Sequence, residues 1–419
     1  MIFWPKKVAF SLCGIAALGA ILIFIQVVIH PSDRALYQKL AQETSALRSS
    51  KSLERHPTFQ LREDAQKDFW TVRENERVHF QMRADRSKLS LKQKKDKVEA
   101  TEELEQMTCM SQIGYLTAAQ GAYDYPGYNF VASQVECTHV LGNLKAEKAL
   151  LQSMQLLSLN DGVCLTTSHP FSITSQSALC EMTPKKTFSF PQQQKITFFH
   201  RVVIQMMEDL KAEGGSAIYK IGSLVLYPEM PKLHCHLQRA DSRVDAQEIH
   251  FDLLKKTILC QKAKGKIPLE EGTPLSFSSD TLLLQNNWIQ LNQNVQIEQA
   301  EKFSIYADFA KVTLKDQKPD FVEMTDNVRL FSPCIQNKDA FALAEKIVLH
   351  PKQQVLILTA ISPKRVLFWQ EGVSLSAPEI HIQKDLVTRQ EWIQGKGDIH
   401  FTFNSEEQNI IDQFISNYL

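Results

Sequence analysis

The chain has 419 residues, 43% of them apolar, enough to bury one large core or two ordinary ones. Its 47 basic residues balance 47 acidic ones, so there is no global field to gather nucleic acid. Fifteen glycines and sixteen prolines are ordinary for a folded chain and exclude collagen-like or long disordered organisation.

Residues 1–7 form a short tip ending in Lys6 and Lys7. Val8 to Ile29 follow without a single charge. As a helix rising about 1.5 Å per residue, such a run covers a hydrocarbon core of roughly 30 Å. The two lysines favour the cytoplasmic side, so the expectation is a single-pass inner-membrane anchor over 8–29 with the bulk of the chain periplasmic. A cleaved signal peptide is the alternative, with Ala17-Leu18-Gly19 as its small-residue site. The apolar run ILIFIQVVI continues past that point and favours retention. A lipid-modified Cys13 is disfavoured by the bulk of Leu12 before it. Pro31, Ser32 and Asp33 make a helix start, and Leu36, Leu40 and Leu47 recur near helical spacing, predicting a helical stalk or linker over 30–72 with a break at His56-Pro57.

From Arg77 the pattern changes to period two: Val78, Phe80 and Met82 alternate with polar neighbours. A small unit then recurs, an alanine beside a charged or turn residue and an alternating apolar pair. It is clearest in DAQEIHF (245–251), YADFAKVTL (306–314), LAEKIVL (343–349) and SAPEIHI (376–382), and weaker at 84–91, 118–125, 145–151, 175–180 and 216–228. Its spacing averages roughly 33 residues, which is also the period of helical repeat arrays. The alternating Ile, Val, Phe, Thr and His, bounded by Gly, Pro, Asn and Asp, predict strands instead. Residues 145–159 and 201–212 fit a helix on pattern and are read mostly as strands. Each unit then holds short strands that cannot cover their own apolar face, and stacking supplies the cover. The expected architecture is mainly β: an elongated stack of short antiparallel strands in a jellyroll or folded-leaf form. A first half spans 73–240 and a second 241–403. Over 404–419, Ser405 with Gln408 and the stripe Ile410, Ile411, Phe414 and Tyr418 predict an amphipathic helix, capping an open sheet edge or docking a partner.

No nucleophile elbow, zinc-protease helix, phosphate loop or dinucleotide fingerprint is present. His234-Cys235-His236 resembles a ligand cluster, but a strand turns Cys235 away from both histidines. Seven cysteines follow Cys13, none in Cys-x-x-Cys spacing, and their odd number argues against a fully paired disulfide framework. They read as small apolar residues on strand faces. Asp245, Glu248, Glu345 and Glu379 beside the repeated alanines read as residues of strand edges or of the wet face, where they keep the stack soluble. Lys364, Arg365, Phe368 and Trp369 would suit base stacking, which export across a membrane makes irrelevant. The expectation is therefore no catalytic residue, no metal and no cofactor. What the repeat supplies is a long apolar interior. If two sheets part, that interior can hold acyl chains at roughly 0.8 kcal/mol per buried methylene. A self-filled structural or adhesion solenoid tethered to the membrane is the alternative, and a β-helical polysaccharide-active enzyme a third.

MTDNVRLFS (324–332) and WIQGKGDIHF (392–401) resemble the return strands, and YADFAKVTL, LAEKIVL and SAPEIHI the outgoing strands, of the OstA-like lipopolysaccharide-export β-jellyroll family. The resemblance covers Arg77–Phe403 and is best after Asp241. It implies a periplasmic jellyroll that takes lipopolysaccharide, or another multi-acyl lipid, from an inner-membrane transporter and passes it to further β-jellyroll proteins by edge-to-edge contact. The acyl-facing positions it implies are Ile249, Phe251, Ile347, Leu349, Ile380 and Ile382. A single N-terminal span resembles the inner-membrane-anchored member of that bridge. That member is normally about half this length, so the body has room for two jellyrolls or one long one.

Overall fold

Alternating apolar and polar residues can bury one face of a strand only if a second layer covers it, and here the chain folds back on itself to supply that layer. The computed structural model describes residues 38–42 and 58–403, except 74–75, 95–96, 112–113, 126–128, 153–155, 169–170, 182–193, 207–208, 270–272, 286, 301, 317, 336–337, 371–372 and 385–390. The expected anchor (8–29) and capping helix (404–419) lie outside them. No described helix is long and apolar enough to cross a membrane. The chain divides into two units at Phe59/Gln60. The first contributes one exposed helical turn at 38–42.

The second unit carries the sheet. Its strands are β1 (Thr58–Arg73), β2 (Glu76–Lys94), β3 (Lys97–Ser111), β4 (Gly114–Tyr125), β5 (Asn129–His139), β6 (Gly142–Gln152), β7 (Leu156–Thr166), β8 (Phe171–Glu181), β9 (Ile196–Met206) and β10 (Leu210–Lys220). Four shorter ones follow, β11 (Ser223–Tyr227), β12 (Cys235–Arg239), β13 (Ser242–Ala246) and β14 (Glu248–Asp252), and then the longer β15 (Thr257–Ile267). Then come β16 (Leu275–Gln285), β17 (Trp288–Gln299), β18 (Phe303–Lys315), β19 (Lys318–Ile335) and β20 (Lys338–His350). The chain closes with β21 (Val355–Thr359), β22 (Val366–Gln370), β23 (Val373–Ala377), β24 (Glu379–Lys384), β25 (Glu391–Lys396) and β26 (His400–Phe403). Mainly β is thus the observed class. Residues 58–72, expected in a helical stalk, are strand: past the Pro57 break the chain joins the sheet as β1. Residues 145–152 and 201–206 are strand, as expected.

From β2 to β10 and from β15 to β20 the strands are long and bent, where short ones were expected; β11–β14 and β21–β26 are short. From β2 to β10 and from β15 to β20 each pairs antiparallel with the next, and the register slips near the middle of most pairs, for example at Asn160/Val163 and Asn292/Val295. Left-handed residues mark these bends on alternate strands: Gln106, Gln134, Asp161, His200 and Arg201, Lys262, Gln293 and Asn294, Asp326 and Asn327. These are β-bulges, which bend a strand and can change which parity faces inward. In β5 the buried set is Phe130 and Ala132 before Gln134, then Val135 and Cys137 after it. One inserted residue keeps both halves apolar on the concave side. Each strand therefore contributes half of itself to each of two leaves joined at a spine of bends. The leaves face each other: the Phe171 and Tyr219 rings, next to opposite ends of β9, meet edge to face at 5.5 Å.

In five layers the corner breaks the strand completely. β11 and β12 pair with the two halves of β10, and β13 and β14 pair with β12 and β11 respectively. β21 and β22 divide β20 in the same way, followed by β23 with β24 and by β25 with β26. Among the described residues, twenty-six strands thus make twenty-one layers, since five layers hold two strands each. At about 4.8 Å per layer the stack runs roughly 100 Å.

Two blocks of this stack are copies of one plan. Leu159-Asn160 of β7 matches Leu291-Asn292 of β17, and Phe171-Ser172-Ile173 opens β8 as Phe303-Ser304-Ile305 opens β18. Ala246, Glu248, Ile249 and His250 recur 131 residues on (246 to 377) as Ala377, Glu379, Ile380 and His381. The corner loops between β11 and β12 and between β21 and β22 both carry Pro-Lys, at 231–232 and 363–364. The first block is β5–β14 and the second β15–β24; what recurs is eight layers, not a unit of 33 residues. The expected division at 240/241 falls in the tight β12–β13 hairpin, through which pairing continues.

Candidate lipid-binding interior

The six expected acyl-facing residues all point into the space between the leaves. Ile347, Leu358 and Ile380 form one row across β20, β21 and β24, and Leu349, Leu356 and Ile382 form the next. Ile249 and Phe251 make the matching rows with Leu226 and Leu224 of β11 in the first block. The structure therefore gathers four of the six into one patch and leaves two in its copy. All are enclosed: Ile249 and Ile380 are 0% exposed and Ile382, the most open, 9%. They belong to one apolar core that extends from Met82 to Ile382.

The outer faces take most of the charges; Glu102, 1% exposed, is buried and accepts from Ser87 Oγ at 2.5 Å. Asp245 lies 2.6 Å from His236 Nδ1 and accepts from Arg243 Nε at 3.0 Å. Burial alone would raise its carboxyl, but the hydrogen bonds from His236 and Arg243 bring it below the usual carboxylate range. Glu248 pairs with His250 at 2.8 Å, and Glu379 with His381 at 2.5 Å and Lys396 at 3.2 Å. Burial also works against Glu379, and those two partners outweigh it to lower its carboxyl. Glu345 accepts from Lys364 at 2.6 Å and from the Ile361 amide, and is likewise held low. The carboxylates that sequence reading placed at strand edges or on the wet face are thus outside, each with cations or imidazoles on the same face. Cys235 is buried and turned inward while His236 faces out, as strand alternation requires. Burial pushes the Cys109, Cys137, Cys235 and Cys260 thiols up to about 12, so these four stay protonated and behave as small apolar side chains. Among the described residues no group of three or more His, Cys, Asp or Glu is placed to hold a metal.

No family model matches the sequence. No curated protein matches it either. Among solved structures, the chain is similar to LptH of Pseudomonas aeruginosa, described as the LptA-homologous periplasmic component of the lipopolysaccharide transport device. That likeness has 13% identity and a TM-score of 0.27, and covers 32% of this chain and 98% of LptH.

Sequence reading missed one feature of the interior. A cavity of about 490 Å³ opens where the two rims of the first block meet. One rim supplies the β5–β6 turn (Val140-Leu141) and the residues after β7; the other supplies the β10–β11 turn (Ile221-Gly222) and the β14–β15 turn (Leu253-Leu254). Gly142 takes φ +139° there, and a Cβ would sit 2.6 Å from the Thr166 carbonyl oxygen, so no larger residue fits. The two turns on the second rim are tied by the Leu253 amide, which donates to the Gly222 carbonyl at 3.0 Å. The signal was legible in one respect. Turns favour Gly, Pro, Asn, Asp and Ser, and Val140-Leu141, Ile221 and Leu253-Leu254 at three turn tips depart from that.

Proposed function

We propose that this protein is a membrane-anchored lipid carrier of the lipopolysaccharide-export β-jellyroll type, acting by binding and not by catalysis. Its anchor over 8–29 would hold it in the inner membrane, with the stack in the periplasm between an inner-membrane transporter and further β-jellyroll proteins. The observation that carries this reading is the apolar concave face, continuous through successive layers while every ion pair described above lies outside. A lipid with several acyl chains finds there a largely apolar track, interrupted in the first layers by the buried Ser87–Glu102 pair and at the β5 end by His139. Admission exchanges side-chain contacts between the leaves for side-chain contacts with acyl chain. Apolar surface replaces apolar surface, so the hydrophobic term changes little. At the last described layer the lining emerges: Phe401 is paired with buried Leu375 yet is 59% exposed, and Ile393 of β25, paired with Ile382, is only partly buried. An edge of that kind supports addition of a further β-jellyroll.

The closed state of Ile249, Ile347 and Ile380, at 0%, 1% and 0% exposure, favours a second reading, a tethered structural or adhesion solenoid filled by its own side chains. Photo-crosslinking amino acids at these three positions separate the two. Lipid adducts, with lipopolysaccharide or another multi-acyl lipid, support the carrier; adducts to protein alone support the solenoid.

A further inference from the structure

The cavity between the rims of the first block sits where the two leaves can part without unzipping a strand. We propose that it is a side portal that admits a single acyl chain to the interior; the proposal rests on the lipid-carrying reading above and assigns it a point of admission. Its mouth is built from turn tips, and those tips are greasy. Val140 is 50% exposed, Ile221 42% and Leu254 74%. Apolar side chains held in water at three facing tips gain only when something apolar covers them. The volume, about 490 Å³, falls within the usual range of small-molecule pockets, roughly 300–1,000 Å³.

The inner end of the cavity is continuous with the core. Leu141 is 3% exposed and Tyr219 5% exposed, and the Tyr219 ring touches Phe171 of the facing leaf. An occupant passing these two side chains is already between the leaves. The first rim also carries Asn143 and Thr166 beside Val140 and Leu141, exposed polar lining residues suited to an ester or head group that stays in water. The occupant that fits both ends is an amphiphile with one chain inserted. Residues 140–141 and 221–222 lie outside the strands, so opening moves turns and leaves the ladder intact. The Gly222–Leu253 hydrogen bond makes the two turns of the second rim move together. In the second block the β10–β11 turn is replaced by Pro351, Lys352, Gln353 and Gln354, which offer no greasy tip. The portal belongs to the first block.

The test uses the full chain in its own membranes and a palmitate carrying a terminal diazirine, with adducts mapped by mass spectrometry after irradiation. The wild type is expected to give adducts at the 219–226 and 253–260 segments and at Ile249. Ile221→Glu with Leu254→Glu should cut all of them about tenfold, because a carboxylate in the mouth rejects a methylene chain. Ile221→Gln with Leu254→Gln should cut them less. Ile361→Glu, at a corner loop residue that is 78% exposed, should leave them unchanged. Adducts at Ile249 that persist undiminished in the double Glu variant would overturn the portal and leave the carrier standing. Adducts confined to the turn tips, with none at Ile249, would overturn admission through this mouth together with the carrier, and so would a wild type that gives no adducts.

Discussion

The two blocks of the stack, β5–β14 and β15–β24, share their inward faces and corners but differ at their rims. Several buried positions keep the same side chain, Leu159 with Leu291, Val163 with Val295 and Ile249 with Ile380, and others stay apolar, as Phe251 with Ile382. The corner breaks fall at the same layer, and the outward Glu–His pair beside them recurs as Glu248–His250 and Glu379–His381. At the β10–β11 and β20–β21 turns the likeness stops: Ile221-Gly222 in one block, Pro351 to Gln354 in the other. Duplication thus constrained what the leaves must pack and left free what their rims present to the surroundings. Differences in function between the blocks belong at the rims.

The sharpest way to break this comparison is to remove matched core residues. Leu159→Ala and Leu291→Ala, at 0% and 1% exposure, should each cost about 2–5 kcal/mol, read as a shift in urea midpoint. Similar losses are expected from both; a loss in one block only would mean the blocks do not share a packing plan. Gly142→Ala comes next, at about 1–3 kcal/mol, because the new Cβ meets a carbonyl oxygen and φ is left-handed. This strain belongs to the first block's rim, so thermal melting that is unaffected would argue against the tight rim turn.

Acid should act on both blocks. Asp245 in the first and Glu345 and Glu379 in the second are lowered by their partners, so their folded pKa values lie below the unfolded ones. Their contribution is complete above the ordinary carboxylate pKa of about 4 and is lost as pH falls through the lower folded values. The melting temperature should therefore hold from about pH 8 to 5 and decline below about 4. Asp245→Asn combined with Glu379→Gln should flatten that decline; an unaltered slope would show that these pairs do not contribute. The smallest effect is expected from Glu248→Gln or Glu379→Gln alone near neutral pH, about 0–1 kcal/mol for partly exposed pairs, and equal in the two blocks.

Much of the sheet was legible because alternation is local. DAQEIHF and SAPEIHI announced their inward residues, and Ile249, Phe251, Ile380 and Ile382 are inward. The length of the strands was not legible. A single left-handed residue such as Gln134 or Lys262 interrupts the period of two halfway, so each long bent strand reads as two short ones. The same interruption hid the block of eight layers behind a spurious spacing of roughly 33 residues, because alanines occur on both sides of a bend. Residues 58–72 were misread because sparse leucines near helical spacing were extended past Pro57, where the ladder with the next strand prevails over local periodicity.

By itself the sequence determined that this chain forms strands with one greasy face, where the inward residues fall, and that carboxylates beside the alanines stay wet, since all of these follow from period two and side-chain chemistry. Only the tertiary structure decided that each strand folds across two leaves, and that the turns after β5 and β10 meet around a cavity. Those turns stand about eighty residues apart in the chain (140 to 221), and nothing in either segment encodes the other. Their meeting is a product of how far each bulge bends its strand, summed over the layers between them.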